Sequence, residues 1–393
     1  MTTIINNENK KLNVPNLRFP EFQGEWEKCI LGDYGKVVTG NTPPTKDIEN
    51  YENGTYLWAS PADLSAIKLI SETKTKLSSK GFSKTRALPK GSVLVTCIGS
   101  TIGKTGMATK EMSTNQQINS IVVNDNNDNE FVFYAIQSAF PRYLSSIAVQ
   151  AVPIISKSAF EMLPNKRTCL QEQKKIGKFL SLLDERIATQ NKIIDKLQSL
   201  IKGIVDCTIL RKEKNAIIGE VCSISEQIRA EANIDDIITV RLHGNGVCKS
   251  SAENLQLGAT QYYRRRAGQL IYGKQNFHNG AIGIVPISLD NGITSKDIPS
   301  FDIDEMKCNS VYLLAQLQSP QYYKPAEALT TGTGSKRLKE ETFLKMPIVL
   351  PNKREQDNIA VLIHRASMNL DHAKRLLELL SIQKQFLLRQ MFI

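Results

Sequence analysis

The feature that most constrains this chain is a pair of long amphipathic helices that share one apolar register. Apolar residues recur in alternating steps of four and three over residues 176–204 and again over 359–387, so that matching positions lie 183 residues apart. Only Gln190 and Lys384 interrupt the two stripes. A sustained period of about 3.5 residues produces a narrow seam that must be buried against another helix. The sequence therefore predicts a tandem duplication whose two helices pack on each other.

The duplication continues upstream of both helices. Four residues recur at the same separation: Phe160, Pro164, Glu172 and Gln173 match Phe343, Pro347, Glu355 and Gln356. Further upstream, the glycine-containing segment 91–106 matches 268–283 at a separation of 177 residues. A change in separation is expected when loops of different length connect a shared scaffold. Each half is predicted to be one globular domain of ordinary size followed by one long helix.

The local sequence patterns predict an α+β fold for each globular domain. Short β-branched runs bounded by turn residues predict strands at 31–38, 56–59, 92–98 and 119–123, and 131–138 is typical of a short helix. The second domain repeats this pattern at 237–240, 269–272, 281–285 and 309–318. The long helices are predicted to begin near Gln171 and Arg354, shortly after prolines. The predicted divisions are a disordered tail at 1–15, a first domain at 16–165, a central helix at 166–212, a second domain at 213–350 and a final helix at 351–393.

Composition and charge narrow the possible partners. No apolar run approaches the length of about 18 residues that a membrane span needs, and the polar start of the chain does not resemble a signal peptide. The seven cysteines are scattered without a C-x-x-C pair, which favours reduced thiols and disfavours a zinc site. We therefore expect a cytoplasmic protein with no membrane partner. The net charge of +11 favours polyanionic partners, although it is also compatible with simple solubility.

Two clusters of cations stand beside flexible segments. Arg264, Arg265 and Arg266 follow two tyrosines, and Lys336 with Arg337 follows a glycine-rich run at 330–334. Cations in such places are suited to contacts with phosphate groups. Solvated loops of no specific function are an equally valid interpretation of either cluster alone.

The sequence shows no constellation of catalytic residues. Residues 99–105 resemble a phosphate-binding loop, but the first glycine of that motif would have to stand at Ile98. The segment also leads into a predicted strand, whereas a phosphate-binding loop opens a helix, so a hairpin turn is the better interpretation. The four histidines include no pair at metal-ligand spacing, and no serine or cysteine stands in a nucleophile elbow. We expect neither metal nor catalysis in this chain.

Several segments together resemble one family. The opening run 15–26, followed by Leu31-Gly-Asp33 and Thr39-Gly-Asn-Thr42, is similar to the start of a type I restriction–modification specificity subunit. The run Gly332-Thr-Gly-Ser-Lys-Arg-Leu338 that leads to Phe343 and Pro347 resembles the junction between target-recognition domain and helix in that family, and 354–359 resembles the start of its helix. The resemblance covers nearly the whole chain, including the repeat of domain and helix.

The resemblance implies a function without catalysis in this chain. Two target-recognition domains would each read one half of a split, asymmetric sequence in double-stranded DNA. The helices would form an antiparallel coiled coil that acts as a spacer and docks two methyltransferase subunits, and restriction/translocase subunits would join that core. S-adenosylmethionine, ATP and Mg²⁺ would then serve the partner subunits. A helix of about 35 residues, roughly 50 Å long, has a suitable length to separate half-sites about 34 Å apart.

Candidate base-reading and phosphate-binding residues follow from polar and basic side chains in predicted loops, because Arg and Lys suit guanine whereas Asn and Gln suit adenine. In the first domain the candidates are Thr39, Asn41, Thr42, Ser100, Thr101, Lys104, Asn115 and Gln116. In the second they are Arg264, Arg265, Arg266, Lys274, Gln275, Asn276, His278, Lys336 and Arg337. Two other functions stay open at this point: a coiled-coil scaffold that reads no DNA sequence, and a phosphate-loop ATPase, which Ile98 disfavours.

Overall fold

A computed structural model describes residues 13–64, 68–146, 154–250, 260–332 and 336–393. Most of the predicted N-terminal tail and residues 333–335 of the glycine-rich run lie outside these ranges. The chain forms two compact units, one from the described part of Met1–Lys192 together with Arg375–Ile393, and one from Ile193–Lys374. Within the described residues, no helix is both long and apolar enough to cross a membrane.

Within its described residues, the first unit has ten strands and three shorter helices before the first long helix. Its strands are β1 (Glu27–Ile30), β2 (Gly35–Thr39), β3 (Tyr56–Ala59), β4 (Leu69–Ile70), β5 (Thr75–Leu77), β6 (Val93–Thr96), β7 (Thr105–Ala108), β8 (Met112–Thr114), β9 (Ile118–Val123) and β10 (Pro164–Arg167). Its short helices are α1 (Ser79–Ser83), α2 (Asn129–Ser146) and α3 (Lys157–Glu161). The main sheet has the order β2-β9-β6-β7-β4, and β5-β3-β8 forms a second sheet.

The core of the first unit lies between the main sheet, α2 and the long helices. Phe131, Tyr134 and Ile136 of α2 are fully buried in it. Trp26 packs edge-on against Phe131 at 5.6 Å between ring centroids and against Phe392 at 6.0 Å. The end of the chain therefore completes the core of the first domain.

The second unit repeats the plan with shorter strands. Its strands are β11 (Ala216–Ile217), β12 (Cys222–Ile224), β13 (Arg229–Ala230), β14 (Ile238–Val240), β15 (Val247–Lys249), β16 (Tyr262–Arg264), β17 (Leu270–Tyr272), β18 (Ile282–Ile284), β19 (Ile293–Ser295), β20 (Ser300–Ile303) and β21 (Pro347–Ile348). Its short helices are α5 (Ser310–Leu317), α6 (Pro320–Tyr323) and α7 (Glu340–Leu344). The main sheet has the order β12-β20-β17-β18, which corresponds to β2-β9-β6-β7 of the first unit.

The two long helices are α4 (Leu170–Val205) and α8 (Lys353–Met391), and each begins one residue before its predicted start. In the first unit, Ile176 and Leu180 near the start of α4 share a core with Leu387 and Leu388 near the end of α8. In the second unit, Val205 at the end of α4 shares a core with Ile359 and Ile363 near the start of α8. The helices therefore pair in antiparallel directions, as predicted, and the α+β tandem fold is confirmed.

A matched pair of hydrogen bonds shows how the duplication is built. In the first unit the Asp128 N–H donates to Gln173 Oε1 at 3.0 Å, and in the second the Asn309 N–H donates to Gln356 Oε1 at 2.9 Å. Both glutamines are almost fully buried. The Asp128 and Asn309 side chains in turn accept hydrogen bonds from N–H groups in the first turns of α2 and α5. The same device thus ties a short helix of each domain to the start of a long helix.

Two predicted elements differ from the structure. The strand predicted at 31–38 is a 3₁₀ turn at Leu31–Tyr34 followed by β2, because Asp33 accepts the Ile30 N–H at 2.9 Å and bends the chain there. The helix predicted at 131–138 extends over Asn129–Ser146 and includes Pro141.

Candidate nucleic-acid interface

In the first unit, the predicted segments meet at one end of the main sheet. Strand β2 ends at Thr39 beside Asn119 of β9, and β6 ends at Thr96 beside Ile118. The loop that precedes β9 holds Asn115 and Gln116, and the turn between β6 and β7 holds Ser100, Thr101 and Lys104. Antiparallel pairing thus brings together segments that are far apart in the sequence. We name this end of the sheet the polar edge of the first unit.

Side chains of the polar edge are already held by hydrogen bonds. Thr39 Oγ1 donates to Asn119 Oδ1 at 2.6 Å, and Thr42 Oγ1 donates to Gln116 Oε1 at 2.5 Å. The Asn115 side chain is largely buried, and its Nδ2 donates to Gln117 Oε1 at 2.9 Å. Asn115 therefore shapes the loop, whereas the exposed Gln116 is available to a ligand.

Asn41 connects the polar edge to a basic segment that the sequence analysis missed. Its Nδ2 donates to the Lys84 carbonyl at 2.8 Å, and its Oδ1 accepts the Arg86 N–H at 3.0 Å. The exposed Arg86 also donates from Nη1 to the Thr39 carbonyl at 2.6 Å. Arg86 belongs to no motif in the sequence, and only tertiary contact places its guanidinium beside the other candidates.

The turn that resembles a phosphate-binding loop is a hairpin connection, as expected. Gly99 and Gly103 have φ angles of 87° and 90°, which favour glycine, and Thr105 enters strand β7 directly. Lys104 is exposed and lines a cavity of about 300 Å³ together with Lys68, Gln137 and Lys384. No helix begins after this turn to receive a phosphate.

In the second unit, a group of candidates lies around the connection between β17 and β18. Gln275 and Asn276 are exposed, and His278 Nε2 lies 3.3 Å from Asn279 Nδ2. Lys274 is mostly buried, and its ammonium group lies 2.6 Å from a Glu340 oxygen. The Leu338 N–H donates to the Lys274 carbonyl at 2.9 Å, which brings the segment after the glycine-rich run to the same place.

The cations beside the glycine-rich run also have protein partners. Arg337 lies 3.2 Å from Asp297, and Lys336 lies 3.5 Å from Glu327. Both pairs are solvent-exposed, so each contributes at most about 1 kcal/mol and can exchange its carboxylate for a phosphate. Lys336 and Arg337 therefore remain candidates for phosphate contacts, whereas Lys274 would first have to break its ion pair with the mostly buried Glu340.

The arginine cluster is divided by the fold. Arg264 and Arg266 are exposed and line a cavity of about 440 Å³ that also holds Glu226, Asp302 and Glu305. This cavity lies where β17 begins and β20 ends, and Glu226 lines it from the segment after β12. The acidic residues make it a mixed surface, so a phosphate would meet repulsion as well as attraction there.

Arg265 requires a correction. We expected this residue on a flexible loop with access to DNA, but its side chain is completely buried. Its guanidinium donates to Thr294 Oγ1, Ser300 Oγ and the Ile298 carbonyl at 2.8–3.0 Å. Burial lowers the pKa of Arg265 to about 10, so the group stays protonated at neutral pH. A run of three arginines in the sequence does not reveal that the middle one points into the domain.

The duplication reveals a further segment that the sequence analysis missed. Strand register identifies it: Val37 pairs with Ile121 in the first unit, and Ile224 pairs with the matching Phe301 in the second. Residues 225–227 therefore stand where 38–40 stand in the first unit. We name this end of the second sheet, with residues 225–227 and 274–279, the polar edge of the second unit. The separation between the copies differs here from both 183 and 177 residues, so the repeat in the sequence did not reveal this match.

Both polar edges offer hydrogen-bonding side chains and cations, which suit recognition of a polyanion and its bases. Across the described ranges, no group of three His, Cys, Asp or Glu side chains is placed to hold a metal ion. The buried thiols of Cys97, Cys222 and Cys308 have a pKa raised to about 12 by burial, so they are unreactive at neutral pH. The arrangement can bind and discriminate a ligand, and its described residues include no assembled nucleophile.

Comparison with known proteins agrees with this geometry. Residues 23–199 match the model of the type I restriction modification DNA specificity domain. The MjaIX specificity subunit of a type I restriction enzyme from Methanocaldococcus jannaschii is 29% identical over 44% of this chain, and the chain spans only 42% of that relative's length. The MjaVIII specificity subunit from the same organism is 23% identical over 88% of this chain and 86% of its own.

A solved structure shares the fold of the whole chain. The type I restriction–modification S subunit from M. genitalium matches with a TM-score of 0.67, covering 97% of this chain and 99% of its own. The sequence identity is 14%, so this likeness concerns the fold. It includes both domains and both long helices.

Proposed function

We propose that this chain, a member of the type I restriction–modification specificity-subunit family, reads a bipartite and asymmetric DNA sequence. One observation carries the proposal: the two units present polar edges at the same end of matching sheets, and the side chains on these edges differ. A duplicated frame with different reading residues is suited to two different half-sites. The net charge of +11 would support affinity for the DNA backbone.

We also propose that the long helices dock two methyltransferase subunits. Large apolar side chains remain exposed on the faces that point away from the helix seam, and in the first unit these include Leu182 of α4 with Leu379, Ile382 and Phe386 of α8. In the second unit Leu200, Leu362 and Met368 are similarly exposed. Repeated exposed apolar residues are typical of surfaces that bind another protein. One such surface on each unit of a duplicated frame would receive one copy of the partner.

Catalysis would belong to the partner subunits. In this proposal the methyltransferase subunits hold S-adenosylmethionine, and restriction/translocase subunits that join them use ATP and Mg²⁺. The chain itself would supply recognition and spacing in the cytoplasm, where its DNA substrate is. A scaffold that reads no DNA would account for the helices, but it would leave the two differing polar edges without a role.

Replacement of one domain tests the proposal. The segment 215–345 would be exchanged for the matching segment of a relative, and the variant expressed with its methyltransferase partner in cells whose genome is then sequenced for methylated bases. One half of the methylated motif should change while the other half and the partner binding stay the same. Loss of all sequence preference, or a change in both halves together, would contradict a modular DNA reader.

A further inference from the structure

A buried arginine in the second unit extends one contact to the surface. Three donors of Arg265 are used by Thr294, Ser300 and Ile298 inside the domain, and these acceptors are all neutral. The remaining contact is from Nη1 to Gln227 Oε1 at 3.4 Å. Gln227 itself is exposed. A side chain anchored inside the domain, Arg265, thus holds the surface carboxamide of Gln227.

The carboxamide of Gln227 is held at both of its ends. While Oε1 accepts from Arg265, Nε2 donates to the Ser225 carbonyl at 2.9 Å. A carboxamide has two lone pairs on oxygen and two hydrogens on nitrogen. One lone pair and one hydrogen therefore remain for a ligand.

This remaining pair of groups matches adenine. In the major groove adenine offers an N6 amino donor and an N7 acceptor, and glutamine binds both in a bidentate manner. A glutamine that is already held in place loses less conformational entropy on binding than a free one. The anchoring by Arg265 thus favours a specific contact at this position.

The location of Gln227 supports the same role. Residues 225–227 occupy the place that 38–40 occupy in the first unit, as the matching strand pairs Ile224–Phe301 and Val37–Ile121 show. The polar edge of the first unit also holds an exposed carboxamide, that of Gln116, whose Oε1 accepts from Thr42 Oγ1 at 2.5 Å. Each polar edge therefore presents one exposed and anchored glutamine.

We infer that Gln227 reads an adenine in the half-site of the second domain and that Arg265 is the residue that positions it. The inference rests on the proposed DNA-reading function. It assigns to Arg265, whose own side chain is completely buried, a role in the selection of one base pair.

Single substitutions at Gln227 test the assignment in the full chain with its methyltransferase partner. With Gln227→Ala, discrimination at one adenine of the second half-site should fall by about 5- to 150-fold, the loss expected for one bidentate contact. With Gln227→Glu, the preferred base at that position should change from adenine to cytosine, because a carboxylate accepts from the cytosine N4 amino group. Gln321→Ala, an exposed glutamine on α6, is the matched control and should leave the motif unchanged.

Arg265→Lys tests the positioning role, since lysine keeps the charge but lacks the planar fork of donors. Discrimination at the same adenine should fall, while the first half-site is recognised as in the wild type. If Arg265→Lys does not fold, Gln227→Ala decides by itself because its side chain is on the surface. An unchanged motif in Gln227→Ala, beside a wild type that reads a defined motif, would overturn the inference. A wild type without any sequence preference would instead contradict the proposed function.

Discussion

The two units attach their globular domains to the long helices in different ways. In the first unit, charged and polar side chains fill the junction. Lys384 of α8 lies 2.6 Å from Asp184 of α4, and Tyr134 of α2 donates to the other oxygen of Asp184 at 2.6 Å. Lys68 donates to Glu130 at 2.6 Å and to Ser181 at 2.9 Å. Side chains from the domain and from both helices thus form one network.

In the second unit, the matching positions hold small or apolar residues. The helix repeat places Ser367 at the position of Asp184 and Ile201 at the position of Lys384. The matched helix caps at Asp128 and Asn309 place Ala315 at the position of Tyr134. These three residues line a cavity of about 410 Å³. The same junction of domain and helices thus holds a polar network in one unit and a cavity in the other. The duplicated fold therefore depends on neither arrangement.

The largest expected effect comes from breaking the network of the first unit. Lys384→Ile leaves the mostly buried Asp184 carboxylate without its cation, which should lower the free energy of unfolding by about 3 kcal/mol. The double variant Asp184→Ser with Lys384→Ile recreates the pair found in the second unit. Replacement of both charges removes the unpaired carboxylate, so most of the stability should return. Chemical denaturation measures both values.

Equal losses of unfolding free energy in the single and double variants would contradict the idea that the junction tolerates either a charged or an uncharged pair. Such a result would mean that the attraction between the two charges, and not the penalty of an unpaired one, determines stability at the junction. Lys178→Ile on an exposed part of α4 is the control and should change the stability little.

A second comparison concerns Arg265, whose counterpart in the first unit is Leu88, since the two copies are displaced by 177 residues there. Both side chains are completely buried. Arg265→Leu would leave Thr294 Oγ1 and Ser300 Oγ without a donor and would remove one of the two donors to the Ile298 carbonyl, which keeps Thr294 Oγ1. We expect a loss of about 2 kcal/mol. Thermal unfolding measures the change. A variant as stable as the wild type would show that the second domain needs no polar centre at this position.

The sequence predicted the long helices and the domain repeat better than the packing of the polar side chains. Helix periodicity revealed α4 and α8 because the seam repeats over many turns, and the preceding prolines placed their starts to within one residue. The same periodicity marked Lys384 as an interruption, yet its partner Asp184 lies on the other helix and belongs to no local pattern. Arg265 and Gln227 were misread or missed for a similar reason. Whether a polar side chain points into a domain depends on contacts between distant segments, which one sequence does not contain.

Filling the cavity of the second unit should have a smaller and opposite effect. Ala315→Met adds apolar volume to a half-buried site, and we expect a gain of about 1 kcal/mol in the free energy of unfolding. Denaturant titration of the full chain measures it. Ala135→Met is the contrasting variant, because Ala135 lies in the filled core of the first unit and overpacking should destabilise it. A lower free energy of unfolding in both variants would mean that the cavity of the second unit cannot accommodate the methionine side chain.

The smallest expected effect concerns alkaline pH, where the two units should behave alike. Burial raises the pKa of the Cys97 thiol in the first unit and of the Cys222 thiol in the second to about 12, from an ordinary value of 9.0. The pKa of each folded thiol lies above that of the unfolded one. The stabilisation is therefore fully present below about pH 9 and is lost as the pH rises towards about 12. Between about pH 8 and about pH 9.5, each thiol should cost about 0.8 kcal/mol.

Alanine variants isolate this contribution. Cys97→Ala and Cys222→Ala should each reduce the pH dependence by that amount, whatever their effect on stability at neutral pH. Both tryptophans, Trp26 and Trp58, belong to the first unit, so their fluorescence follows its unfolding, while circular dichroism follows both units. Cys97→Ala should therefore alter the fluorescence profile and Cys222→Ala only the dichroism profile. A pH dependence that neither variant reduces would mean that these thiols ionise in the folded chain, and that both cores are more open to water than their burial indicates.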